Sequence, residues 1–195
     1  MAEKIDLAKQ ALRRRIKSER HARTDSQREE LGAQLSEQLQ MLVIARGARS
    51  ISCYFPVEGE PNTITFMLWA LANDIEVLLP KSRTDGLLDW VEYDGGDLDP
   101  GLFGIPEPDG EALSPISVND VDLMLVPASA VDKQGNRLGW GRGYFDKSLG
   151  SMEQRPHIFA IVHDSEIFDE VPTDVHDIPV DGAVTPTQIV HFHDD

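Results

Sequence analysis

The chain has 195 residues, 41% hydrophobic and 27% charged, with a net charge of −16 and a single cysteine, Cys53. That length and apolar content suffice for one packed domain, and no apolar run reaches membrane-spanning length. So negative a chain repels a phosphate backbone, which argues against nucleic-acid binding, and a lone cysteine excludes an internal disulfide and a thiolate metal site and points to a reducing, cytoplasmic setting.

Charge is unevenly spread. Residues 1–23 carry eight basic side chains against three acidic ones, a local +5, while the remaining 172 residues carry −21. The first predicted element is a basic helix over residues 5–21, with Ile5, Ala8, Leu12 and Ile16 as its apolar stripe. A second helix begins near Ser26, where Ser26 and Glu29 fit a capping box, and buries Leu31, Leu35, Leu39 and Leu42. Ser50 to Phe55 reads as a strand, and Pro61-Asn62-Thr63 opens a helix through about Asn73. Glu76 to Leu79 is a strand stopped by Pro80, and Leu88 to Tyr93 is an edge or hairpin strand. Asp94 to Ser117 reads as loop, with glycines and prolines throughout. Strands recur at 121–126, 158–162 and 182–185, a short helix spans Tyr144 to Leu149, and 191–195 reads as a frayed tail.

Strands alternating with helices predict a single α/β domain over 1–195, its mostly parallel sheet flanked by helices on both faces. Ligands of such sheets bind at the carboxyl ends of the strands. Pro56 to Glu60, Pro80-Lys81 and the chain from Pro127 onward all follow strands, so they are expected to converge on one cleft.

The most informative stretch is Gly135-Asn136-Arg137-Leu138-Gly139-Trp140-Gly141-Arg142-Gly143-Tyr144-Phe145-Asp146. Alternating glycines bare the backbone so that N–H groups can approach an anion, and arginines and a carboxylate accompany them. The spacing matches neither a P-loop nor G-x-G-x-x-G, and a tight turn is the competing explanation. Lys9, Arg13 and Lys17 recur at four-residue spacing on one face of the first helix, either as a solvated basic face or as an anion-facing one. Glu60 either contacts an N–H-rich heterocycle or complements the dipole of the helix after it. Asp181, just before a short strand, is either a turn former or a metal ligand. No zinc spacing, nucleophile elbow or convincing catalytic cysteine occurs.

In order along the chain, Lys9-x-x-Leu12-Arg13, Tyr54 to Thr63, Leu79-Pro80-Lys81, Gly104 to Pro108, Asp122 to Pro127, the glycine run and His176-Asp177-Ile178-Pro179-Val180-Asp181 form an ordered set. That set resembles the 5-formyltetrahydrofolate cyclo-ligase family over nearly the whole chain. The resemblance implies a fold similar to phosphosugar isomerases and CoA transferases. It also implies conversion of 5-formyltetrahydrofolate and ATP to 5,10-methenyltetrahydrofolate, ADP and phosphate, with Mg²⁺. By the same resemblance, Lys9 and Arg13 would reach the ATP phosphates. Arg137, Leu138, Gly139, Trp140, Gly141, Arg142, Gly143, Tyr144 and Phe145 would wrap the nucleotide, with Arg142 and Tyr144 in catalytic positions. Val57, Glu60, Trp140 and Tyr144 would contact the folate, and Asp146 and Asp181 would hold Mg²⁺.

The resemblance has departures. Pro127-Ala128-Ser129-Ala130-Val131-Asp132 replaces the family's Pro-Gly-x-Ala-Phe-Asp. Trp140 and Phe145 replace tyrosines, Lys147 replaces arginine, and Glu166 stands where many members have glutamine. The implied partners are small molecules, ATP and a reduced folate, with no nucleic acid or membrane, for a monomer or weak homo-oligomer. A phosphosugar-type enzyme on the same fold, or a nucleotide- or folate-binding module without turnover, stays open as an alternative.

Overall fold

The computed structural model describes residues 2–152, 155–175 and 177–192, except the side chains of residues 2 and 103. His176 and the tail from His193 onward therefore lie outside the described residues.

The first helix, α1 (Ala2–His21), does not bury the stripe that its apolar residues suggest. Ile16 is fully buried, but Ala8 is exposed, and the other deeply buried side chains on α1 are Lys9 and Arg20. Positions 9, 13, 16 and 20 share one face at helical spacing, so α1 docks through cations as much as through apolar contact. The second helix, α2 (Asp25–Arg46), starts one residue before Ser26. Its capping box is Thr24 with Gln27, because Thr24 is the residue with extended backbone (φ −71°, ψ 162°). Leu35, Leu39 and Leu42 are buried as expected, and Gly47 ends the helix in the left-handed region at φ 63°.

The chain then enters the sheet through β1 (Ser50–Ser52), α3 (Ile64–Ala72), β2 (Glu76–Ser82) and β3 (Leu88–Glu92). Thr63 precedes α3 without capping it; its hydroxyl donates instead to Tyr54 O at 2.8 Å, and Asn62 Oδ1 accepts from Ile64 N. Pro80 does not stop β2, which runs on to Ser82. Pro80 lies opposite Trp90, whose N–H and C=O both bond to Leu113 on the other side, so the missing proline N–H leaves no partner stranded.

The stretch expected to be loop holds a small antiparallel pair, β4 (Leu98–Pro100) and β5 (Pro106–Pro108). It is followed by β6 (Leu123–Pro127), β7 (Ala130–Asp132), β8 (Arg137–Leu138), α4 (Tyr144–Gly150), β9 (His157–Ile161), β10 (Ile167–Phe168), β11 (Gly182–Val184) and β12 (Ile189–His191). His191 is thus not tail but strand, paired with Gly182 and set edge-on against Phe159 at 5.3 Å.

Seven strands form the main sheet in the order β12-β11-β9-β6-β1-β2-β3. The five central strands are mutually parallel, and the two edge pairings, β2 with β3 and β11 with β12, are antiparallel. The mostly parallel sheet predicted from the sequence is therefore present. Along β6 the side chains alternate. Leu123 and Leu125 face a core shared with Leu39, Val43, Phe66 and Met67 of α2 and α3, whereas Met124 and Val126 face Trp90, Val118 and Leu149. Both faces are covered, which is why β6 is apolar at every position.

A second, three-stranded sheet, β10-β7-β8, was not expected, because two- and three-residue strands carry almost no periodicity. It is pinned by Asp132, whose buried carboxylate accepts from Gln134 N, Asn136 N, Asn136 Nδ2 and Val171 N at 2.9–3.1 Å. Asp132 thereby aims β8, and the glycine run after it, across the carboxyl end of β6.

Candidate active site

The three strand-following segments do converge. Tyr54 and Phe55 after β1, Pro80 and Ser82 in β2, and Pro127 ending β6 line one cavity of about 130 Å³. Glu60, Trp140, Tyr144 and Phe145 close it. Glu60 bonds within its own turn. Its Oε2 accepts from Val57 N at 3.1 Å, folding residues 57–60 into a turn that points the carboxyl at the cavity. Burial pushes the Glu60 carboxyl above its usual range. The Trp140 indole N–H beside it works against that rise without reaching hydrogen-bond geometry, which leaves this buried donor unpaired next to the half-buried Glu60 carboxyl. An apolar slot with a carboxyl and an indole N–H at one end suits a flat heterocycle that carries donors and acceptors.

A second, shallower groove of about 710 Å³ opens beside the first and shares Gly143 and Asp146 with it. Its cations come from α1 and α4: Lys9, Arg13 and Lys147. Lys9 is 4% exposed and bonds Asp177 and Asp174, at 2.5 and 3.3 Å. Arg13 Nε donates to Gly139 O at 2.7 Å. Its guanidinium lies flat enough on the glycine run that a Cβ at Gly141 would come within 3.2 Å of Arg13 Nη1. Gly141 also has φ 93°, so this position needs glycine for both space and backbone. Gly143 needs it for backbone alone, at φ 73° where α4 begins. Lys9, through its ion pairs to Asp177 and Asp174, and Arg13 thus line this groove, while Lys17, one turn on, borders a different opening together with Arg142.

The run itself divides its labour. Arg137 is 2% exposed; it donates to Pro127 O at 3.1 Å and to Asp146 Oδ1 at 2.6 Å, and its guanidinium lies 6.0 Å from the centre of the Phe145 ring. It braces β6 against α4, and only its rim meets the cavity. The Leu138 side chain is buried with Ile16, Ala130 and Val171, so only its backbone is available to a ligand. Tyr144 donates to Arg83 O at 3.0 Å, closing the cavity against the β2–β3 hairpin. Arg142 is exposed and lines the cavity. Of the departures from the family pattern, Trp140 and Phe145 line the cavity, whereas Val131 is fully buried in the core away from it.

The two expected metal ligands are not brought together. Asp146 sits where cavity and groove meet, and its second carboxylate oxygen makes no hydrogen bond among the described residues. Asp181 lines neither space: its Oδ2 accepts from Ile158 N at 2.7 Å, holding the start of β9, and Oδ1 is 3.7 Å from Arg155. No cluster of three or more metal-ligating side chains occurs among the described residues. Cys53 is fully buried and its thiol is pushed up to about 12 by burial, which makes it inert as a nucleophile.

Sequence reasoning missed Arg20. It lies on the buried face of α1, gives a fork of two 2.7 Å bonds to Glu166, donates to Ala128 O, and stacks its guanidinium 5.1 Å from the Trp140 ring centre. The signal was its spacing of seven from Arg13, two turns along the same face.

Comparisons with known proteins place the chain in a family. A family model described as the 5-formyltetrahydrofolate cyclo-ligase family matches residues 6–186. The chain belongs to this family. A 5-formyltetrahydrofolate cyclo-ligase from Mycolicibacterium smegmatis is 36% identical over 143 residues, 71% of this chain and 74% of that protein. One from Escherichia coli K12 is 24% identical over 178 residues, 89% and 98% of the two chains. Among solved structures, the 5,10-methenyltetrahydrofolate synthetase of Aquifex aeolicus superposes with a TM-score of 0.81 at 28% identity, covering 96% of this chain and 94% of its own. That of Mycoplasma pneumoniae, at 21% identity and a TM-score of 0.73 over 91% and 98% of the two chains, shares the fold. As a member of the cyclo-ligase family the chain is an enzyme, and its cavity stands at the carboxyl ends of the parallel strands, with the groove beside it. No helix among the described residues is long and apolar enough to cross a membrane.

Proposed function

We propose that the protein catalyses the ATP- and Mg²⁺-dependent closure of 5-formyltetrahydrofolate to 5,10-methenyltetrahydrofolate, releasing ADP and phosphate. One observation carries this reading: the apolar slot ending in Glu60 and the cationic groove of Lys9 and Arg13 share the wall formed by Gly143 and Asp146. A heterocycle in the slot and a triphosphate in the groove would then meet at that wall, as transfer of a terminal phosphoryl group requires.

In this scheme the formyl oxygen attacks the terminal phosphorus and ADP departs. N10 of the folate adds to the activated carbon and loses its proton, and the carbon–oxygen bond breaks to release phosphate. Phosphorylation turns a poor leaving oxygen into a good one, so the protein's task is alignment and charge neutralisation. Lys9 and Arg13 hold the phosphates, and the bared backbone at Gly139, Gly141 and Gly143 lets the nucleotide approach. Arg142, beside the wall, neutralises charge on the moving phosphoryl group, and Tyr144 and Trp140 clamp the ring system whose donors meet Glu60. Asp146 suits Mg²⁺, which is commonly held by one or two carboxylates together with phosphate oxygens and water. The ion would draw charge off the phosphate oxygens. Asp181 is left by its bonds to β9 and Arg155 as a support of that strand, with Asp146 the single direct carboxylate. The whole chain, 1–195, acts as one cytoplasmic unit on small molecules.

The test mixes the purified protein with 5-formyltetrahydrofolate, ATP and Mg²⁺ and follows the absorbance of the methenyl product. Absorbance that grows only with all three present is expected; none in their joint presence would overturn the proposal.

A further inference from the structure

Behind the Val57–Glu60 turn, on the side away from the substrate slot, lies another cavity of about 280 Å³ between the end of α1 and the start of α2. Arg20 and His163 line it, each more than nine-tenths buried, and each carries a nitrogen without a hydrogen-bond partner: Nη1 of Arg20 and Nδ1 of His163. Arg20 gives its other nitrogens to Glu166 and Ala128, and Glu166 does not line the cavity. Its remaining N–H groups therefore lack the acceptor that buried donors almost always have. Half-buried Arg23 joins them, and its guanidinium makes no hydrogen bond or ion pair among the described residues.

The carboxylates around the cavity do not supply that acceptor. Glu60 lines this cavity as well as the slot and feels the charge of Arg20, but its carboxyl accepts from Val57 N rather than from Arg20; Glu58 is 89% exposed and set toward His21, and Glu29 is exposed on α2. Arg28, at the rim, is already paired with Asp25. A buried guanidinium edge, an unpartnered second arginine and an imidazole around a space of this size form a receptor for a group with acceptors only.

We propose that this cavity is an oxyanion-binding site, distinct from the nucleotide groove, which takes a phosphate or carboxylate group of a small molecule between Arg20, Arg23 and His163. The ligand would sit against the back of the turn that carries Glu60, so its occupancy is placed to stiffen the substrate slot. The proposal stands independently of the folate reading, because none of these three residues lines the slot or the groove of Lys9 and Arg13, although Val57 and Glu60 border both slot and cavity.

The experiment titrates the full chain, without nucleotide, with inorganic phosphate in one arm and glutarate in another. Calorimetry reports affinity and the His163 imidazole resonance reports place. Saturable binding that shifts His163 is expected in at least one arm, and which arm responds separates phosphate from carboxylate ligands. Arg23→Ala should weaken that binding about tenfold, equivalent to about 1.4 kcal/mol, while Arg13→Ala leaves it unchanged. The site would be overturned by absence of binding in both arms. It would equally be overturned by binding that Arg13→Ala abolishes and Arg23→Ala spares, which would place the anion in the nucleotide groove.

Discussion

Arg20 and Glu166 face each other fork to fork, at 2.7 Å through both oxygens, with each side chain 1% exposed. The pair ties α1 to the turn after β9 and sets the guanidinium against Trp140, one wall of the substrate slot. A glutamine at position 166 would keep a hydrogen-bond acceptor but not the charge.

Removing one partner is expected to be expensive and removing both much less so. Glu166→Ala leaves a buried cation uncompensated and should lower stability by about 3–5 kcal/mol, Glu166→Gln by less, and the Arg20→Met, Glu166→Met double variant should recover most of the loss. Denaturant midpoints at constant slope measure this. A double variant as unstable as Glu166→Ala would show that packing, not charge, dominates.

Arg13 touches the glycine run and not the slot, so its truncation should separate the two substrates. For Arg13→Ala, KM for ATP should rise about tenfold or more, as expected for losing a charge-assisted contact of 1.5–3 kcal/mol. KM for the folate should stay within about twofold, the scatter of a site left untouched. Steady-state kinetics with each substrate varied in turn decides, and an equal rise in both constants would reduce Arg13 to a packing residue.

Asp146→Asn keeps an oxygen for Arg137 and removes the charge that would meet a cation. The Mg²⁺ concentration for half-maximal rate should increase by about tenfold or more, alongside a drop in the unfolding midpoint because buried Arg137 loses the charge of its partner. An unaltered magnesium titration would assign Asp146 to bracing Arg137 alone.

Acid should destabilise the fold through His163. Burial, reinforced by Arg23 and Arg20, holds its imidazole down to about 3, against an ordinary 6.5. Between those values the unfolded chain takes up a proton that the folded chain refuses. Stability is therefore full above pH 6.5 and falls as the pH drops toward 3, by up to about 1.4 kcal/mol per pH unit from this residue. Unfolding measured from pH 7 to 4 should be less steep for His163→Gln than for the parent. Identical slopes would mean that the imidazole protonates without unfolding.

Some of this molecule could be read directly. The alternation of apolar strands with helices gave the parallel sheet, because a strand buried on both faces is apolar throughout, as β6 is. The glycine run declared itself through residue types that only a close backbone approach needs. The errors share a cause. Hydrophobicity along α1 points to Ala8 and away from Arg20, whereas the helix docks through Ile16 and through ion pairs of Lys9 and Arg20 to residues more than 140 positions away. A proline suggests a strand end only when its neighbour across the sheet needs the missing N–H, and Trp90 spends its backbone bonds on Leu113 instead.

The sequence by itself determined what is local or periodic: element types, the positions of the cations and glycines, and the ordered motifs that place the chain in its family. The tertiary structure decided which of those residues meet. It joined Arg13 to the glycine run and Lys9 to Asp174 and Asp177 beside it, put Glu60 in the slot, withdrew Arg137 and Leu138 into the frame, and parted Asp181 from Asp146. Such encounters depend on the packing of segments far apart in the chain, and no spacing along a sequence encodes them.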